Sequence, residues 1–234
     1  MLNNFPIKKV VNTMDFGKTV KESFEYAKEG LAGKWMKWLL LLISCVIFPL
    51  IMGYMMRIYR GANPSPEPDD WGTMFIDGIK LFVVAIIYAL PVIILEFAII
   101  GSAGLALFMS GGNPAANPGA FMGLLGAVIV GVIILLVVAF IVGLISTMAQ
   151  VRFARTASFG EAFNFGEILA HIGRIGWMNY IIALIIMVVI VGIVEVVCMA
   201  IPYIGFILLL VLLPGIILFS SRYITLVYDS AGTP

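Results

Sequence analysis

The chain is 234 residues long, 62% hydrophobic and only 12% charged, and its fourteen Lys and Arg against thirteen Asp and Glu leave a formal net charge of +1. A soluble domain of this length carries about twice that charged fraction, and a near-neutral chain has little electrostatic attraction for nucleic acid. With a mean hydropathy of +1.11, these figures exclude a sizeable water-soluble domain and point to a single integral membrane domain over residues 1–234.

The opening residues, MLNNFPIKKVVNTMDFGK, lack an apolar stretch followed by a small-residue cleavage site, so no signal peptide is expected. Within the N-terminal segment 1–34, Phe16, Val20, Phe24, Ala27 and Leu31, continued by Trp35, recur at steps of three and four, the spacing of one helical face. Lys18, Lys21, Glu22, Glu25 and Lys28 fill the other face. This is the first of three expected elbows, amphipathic helices lying at the headgroup level before the chain turns into the bilayer.

An uncharged run follows at 38–56, within the segment 35–57. Uncharged runs of about 18 residues or more read as transmembrane helices, yet Pro49 and Gly53 sit where a broken helix could reverse. The segment therefore either spans or re-enters. Residues 58–80 hold the polar turn GANPSPEPDD, then Asp70 as a helix cap, then Trp71, Phe75, Ile79 and Phe82 on one face of a second elbow. Arg57, Arg60, Trp71 and Lys80 are the expected interfacial anchors. Residues 81–109 make a span interrupted by Glu96, with Pro91 as a kink candidate, and 110–119 an uncharged loop.

Residues 120–149 form the next span, preceded by a GxxxG spacing at Gly119 and Gly123 with Gly126 on the same side, a face that lets helices approach closely. The third elbow, 150–174, carries Phe159, Phe163, Gly166, Ala170 and Gly173 on one face. Glu161, Asn164, Glu167, His171 and Arg174 form a polar stripe on the other. Spans at 175–199 and 203–228, joined by a tight turn at IPYIG, complete an all-α integral membrane fold of four to five transmembrane helices with three interfacial elbows.

Lys and Arg favour cytoplasmic loops. Arg57, Arg60, Lys80, Arg152, Arg155, Arg174 and Arg222 share one side, which places loops 58–80 and 150–174 and the C-terminus in the cytoplasm and loop 110–119 outside, in the plasma membrane. The seven lysines from Lys8 to Lys37 lie outside if the first run spans and inside if it re-enters, so the N-terminal side stays open.

Ionisable groups at membrane depth mark partners or ion paths. Glu96, fifteen residues past Leu81, reads either as a carboxyl hydrogen-bonded within the bundle or as a proton or cation site. Glu195, seven residues before Pro202, reads as reaching the interface, or as a second such site. His171 is the lone histidine, positioned for a network with Glu167 and Arg174. Without a second histidine or an HExxH motif, no metal, cofactor or catalytic residue is expected. Cys45 and Cys198, both in apolar runs, read as buried thiols.

The string Gly53-Tyr54, Arg57, Arg60, a proline-rich turn into Asp70-Trp71-Gly72, then Phe75, Gly78, Lys80 and Tyr88-x-x-Pro91 resembles the pattern of an uncharacterised, largely archaeal family of polytopic membrane proteins. The turn departs from it, reading SPEPDDW where Leu-Pro is common. The layout is also distantly similar to the membrane domain attached to some glycerophosphodiester phosphodiesterases. The resemblance implies a membrane protein and transfers no activity. The expected function is therefore non-enzymatic, organising the membrane or engaging lipids, a partner protein or a second copy. The alternative is a small transporter or conduit using Glu96.

Overall fold

The computed structural model describes residues 14–109 and 118–232, and these are all-helical. Residues 1–13 and most of the loop at 110–119 therefore lie outside the described part. Helix α1 (Phe16–Leu31) starts at Asp15, whose Oδ1 accepts the Lys18 amide at 2.9 Å, a side-chain cap on an orphan amide. Helices α2 (Trp35–Val46) and α3 (Phe48–Tyr59) follow, then a proline-rich connection into α4 (Trp71–Met109). Helix α4 pairs with α5 (Pro118–Thr156); a 3-10 turn (Phe159–Phe163) and α6 (Phe165–Ile175) lead to a second hairpin of α7 (Trp177–Met199) and α8 (Gly205–Asp229).

Helices α4, α5, α7 and α8 are each long and apolar enough to cross a membrane. The first apolar run is different, because it becomes two helices of twelve residues broken at Ile47, with Pro49 in the first turn of α3. Each is roughly 18 Å long at about 1.5 Å per residue, well short of a hydrocarbon core of about 30 Å. The run also bends back. The Lys37 Nζ donates to the Ser65 carbonyl at 3.0 Å, joining the start of α2 to the loop beyond α3. A straight helix would hold residues 37 and 60 roughly 35 Å apart, farther than five extended residues and a lysine side chain can reach.

The elbows also differ from expectation. The first is a separate helix, α1, but it runs antiparallel along α8: Tyr26 meets Arg222, and a Cβ at Gly30 would press on Leu218. The second is no separate element, since Trp71 to Met109 is one helix that continues through Pro91. The third is divided between the end of α5, the 3-10 turn and α6.

In α1 and at the start of α4, large apolar residues stay on the exposed face. Helix α1 buries Thr19, Ser23, Tyr26, Ala27 and Gly30 while Phe24 is 63% exposed. The start of α4 buries Met74, Asp77, Gly78 and Leu81 and exposes Phe75, Ile79 and Phe82. Helix α6 buries Ile168, His171, Ile172 and Ile175 and leaves Gly166, Ala170 and Gly173 outside. Between helices in lipid there is no hydrophobic drive to associate, so small and hydrogen-bonding side chains share the inner faces of α1 and α4, whereas α6 buries three isoleucines beside His171.

The core is concentrated at one end. No residue from 89 to 109, from 118 to 143 or from 184 to 197 is buried. The buried set comes mainly from α3, the first half of α4, the last turns of α5, α6 and the second half of α8, joined by Tyr26 and Ala27 of α1, Leu41 of α2, Ala162 of the 3-10 turn and Tyr180 and Ala183 of α7. Gly123 and Gly126 face open space, so the GxxxG face joins no other helix within the described chain.

Candidate functional site

The residues that carried the family resemblance from Gly53 to Lys80 lie at the crossing of α3 and α4 or in the loop between them, while Tyr88 and Pro91 lie further along α4. Gly53 lies against the Met74 carbonyl and Gly78 against the Pro49 carbonyl, so close that a Cβ at either position would overlap backbone. Glycine is required here for helix-to-helix approach. The loop at 61–70 contains three prolines, which lack amide hydrogens, so its carbonyls have no regular partners and must be satisfied by side chains.

That need is met carbonyl by carbonyl. Tyr26 donates its hydroxyl to Ala62 at 3.0 Å, Lys37 its ammonium to Ser65, Tyr54 its hydroxyl to Pro66 at 2.9 Å, and Trp71 Nε1 its hydrogen to Pro68 at 2.9 Å. Arg57 donates to the Glu67 and Asp69 carbonyls at 3.0 and 2.9 Å, to the Asp70 carbonyl at 3.4 Å and to Asp69 Oδ1 at 2.6 Å. The buried Lys37 Nζ also donates to Ser65 Oγ at 2.9 Å and Glu67 Oε1 at 3.2 Å. Its three donors are thus all used. Asp70 caps α4 as expected, accepting the Thr73 amide at 3.4 Å.

Charges are neutralised inside the same end of the molecule. Arg60 pairs with Asp77 at 2.7 Å and Lys80 with Asp77 at 3.7 Å. Arg152 bonds Glu161 and lies 3.9 Å from Glu167, and Arg155 pairs with Asp229 at 2.7 Å. Tyr88 donates its hydroxyl to the Ala162 carbonyl at 2.6 Å and stacks on Phe163. Arg57, Arg60, Trp71 and Lys80, read from the sequence as anchors, all have partners within the protein.

His171 is buried at 5% exposure and ties α6 to α8. Its Nδ1 faces Arg174 Nη2 at 3.1 Å, and a guanidinium can only donate, so Nδ1 accepts and Nε2 carries the hydrogen given to the Tyr228 carbonyl at 2.9 Å. The ring stacks on Tyr228 with centroids 3.8 Å apart. Burial lowers the His171 pKa below its ordinary 6.5; the Tyr228 carbonyl and Asp229 pull upward, and Arg174 and Arg152 add to the lowering. Because the folded value is depressed, the neutral ring contributes its full stability above about 6.5 and loses it as pH falls through the folded value. Thermal unfolding in detergent is expected to show a lower midpoint on acidification below 6.5. That sensitivity should be reduced in His171→Gln; an unchanged acid limb in the variant would assign it elsewhere.

The other surface feature is an open apolar groove of about 690 Å³ between α1, α2, α7 and α8. Its walls include Phe24, Leu31, Trp35, Trp38, Ile190 and Phe219, with Lys28 the one charged group among the described residues that line it. The volume lies within the roughly 300–1,000 Å³ typical of ligand clefts. Sequence reading missed it because each wall comes from a different helix; the signal available was the row of aromatic residues in and after α1.

Glu96 and Glu195 do not come together with any of this. Both are exposed, on α4 and α7, and neither makes a hydrogen bond or ion pair among the described residues. The described residues contain no group of three or more His, Cys, Asp or Glu able to hold a metal ion. Cys198 is buried and Cys45 half-buried, both as free thiols.

Four membrane-length helices and shorter helices joined to them at one end make this a polytopic, all-α membrane protein. A family model described as "Protein of unknown function (DUF4013)" matches residues 38–203, and the chain belongs to that family. The matched residues include the α3–α4 crossing and most of α2 to α7, whereas α1 and α8 lie outside them. No curated protein and no solved structure matches the chain.

Proposed function

We propose that this protein is a non-enzymatic membrane-organising protein that docks lipid on a rigid helical scaffold. The observation that carries the reading is the division of labour between polar and apolar surfaces. The polar side chains around 53–88 are committed to loop carbonyls and to one another, so they hold the fold, while the groove beside α1 is open and apolar. In an aqueous phase such a groove would be an exposed liability; beside α7 and α8 it can take acyl chains.

Two features support this reading over a conduit through the chain. Glu96 sits on an exposed stretch of α4, and it makes no hydrogen bond or ion pair among the described residues. The test uses the full chain in proteoliposomes under a pH gradient, with lipid retained through purification as a second readout. Wild type and Glu96→Gln should dissipate the gradient no faster than protein-free vesicles, and the variant with alanine at Phe24 and Trp35 should retain less lipid. Dissipation that requires wild type and vanishes in Glu96→Gln would overturn the proposal in favour of a proton pathway.

A further inference from the structure

We infer that the groove is a site for an anionic phospholipid, with one acyl chain along α8 and the phosphate held at Lys28; this rests on the lipid-docking reading above and names its ligand. The argument begins with the charges of α1. Lys18 pairs with Glu22 and Lys21 with Glu25, each one helical turn on. Lys28 lines the groove and forms no ion pair among the described residues. A cation without a carboxylate partner beside an otherwise apolar lining selects an amphiphile with negative charge at one end.

A second cation lies in line with it. The groove-lining positions of α8 are Val211, Leu212, Gly215, Ile216 and Phe219, at steps of one, three, one and three. The next residue in that row is Arg222, half-buried over the Tyr26 ring at 5.0 Å and also without a carboxylate partner among the described residues. The row therefore passes from apolar positions to a cation toward the C-terminal end of α8, as a phospholipid passes from chain to headgroup. At the other end, Trp38 donates its Nε1 hydrogen to the Val211 carbonyl at 3.1 Å, so its indole is fixed with a satisfied polar edge and its ring left for chain contact. Gly215 keeps the floor low; a Cβ there would meet Leu31 at 3.7 Å.

The experiment uses the full chain in phosphatidylcholine nanodiscs, in which brominated phosphatidylglycerol or brominated phosphatidylcholine is titrated and tryptophan fluorescence is followed. Trp35 and Trp38 line the groove and report its occupant. Brominated phosphatidylglycerol should reach half-maximal quenching at about a fivefold lower mole fraction than the phosphatidylcholine analogue, the preference that one interfacial lysine supports. The ratio should fall toward one in Lys28→Gln, survive in Lys28→Arg, and survive in Lys18→Gln, which removes the same charge from outside the groove. Equal quenching by the two headgroups, or an equal loss of preference in Lys18→Gln, would overturn the anionic site while leaving chain docking intact. If replacing Trp35 and Trp38 with Phe leaves the quenching unchanged, no chain occupies the groove and the docking reading itself falls.

Discussion

Gly53→Ala and Gly78→Ala should each destabilise the protein by about 3 kcal/mol, the upper end of the range for overpacking. Most overpacked side chains find relief by changing rotamer, but here the new methyl would meet the carbonyls of Met74 and Pro49, which have no rotamer to change. Relief requires α3 and α4 to separate, and that would stretch the bonds Arg57, Tyr54 and Trp71 make to the loop joining them. An internal control is available on the same helix. Gly101 has nothing within 4 Å of an added Cβ, so Gly101→Ala should be neutral or stabilise by up to about 1 kcal/mol, the helix-propensity gain. Unfolding midpoints in a denaturing detergent series would decide it, and equal effects at Gly53 and Gly101 would show that the crossing is not close-packed.

Arg57→Ala should cost about as much through a different mechanism. The side chain is 18% exposed and serves three loop carbonyls and one carboxylate. Removing it breaks hydrogen bonds to acceptors that water can reach, so the cost is that of the lost charge-assisted bonds, about 1.5–3 kcal/mol. Arg57→Lys should recover only part of the loss, because an ammonium cannot reproduce a planar fork reaching Glu67 and Asp69 together. Limited proteolysis between 61 and 70 is the direct measurement: cleavage should be fast in Arg57→Ala, intermediate in Arg57→Lys and slow in wild type. Resistance in all three would mean that Lys37 and the tyrosines hold the loop unaided.

The helices were legible in the sequence, whereas their packing partners within the protein were not. Runs at 120–149 and 175–199 correspond to α5 and α7, and the turn at IPYIG separates α7 from α8. The face of Trp71, Phe75, Ile79 and Phe82 was read as the apolar face of a helix at the headgroup level, and Phe75, Ile79 and Phe82 are exposed. In a bilayer the solvent is itself apolar, so these residues can face out while Gly78 and Asp77 make the contacts. His171, read as part of a polar stripe, is buried, and Phe24, read on the apolar face of an interfacial helix, is exposed. The role of Arg57 was hidden for another reason: a carbonyl acceptor has no sequence signature, so an arginine serving backbone looks like one anchored at the interface. The groove was not legible at all, since its walls come from α1–α2 and α7–α8, far apart in the chain.

The packing of α1 against α8 sets a constraint on the order of assembly. The ring of Tyr26 lies under Arg222, and Leu218 presses on Gly30, so the first of the described helices in chain order has as its partner the last of them. The crossing of α3 and α4 joins neighbours in sequence and can close while synthesis continues. Helix α1 must wait, its inner face of Thr19, Ser23 and Gly30 without its final contacts until residue 222 has emerged. Its charged outer face keeps it soluble in the meantime, which makes Lys18, Lys21, Glu22 and Glu25 as much a provision for the newborn chain as for the finished one.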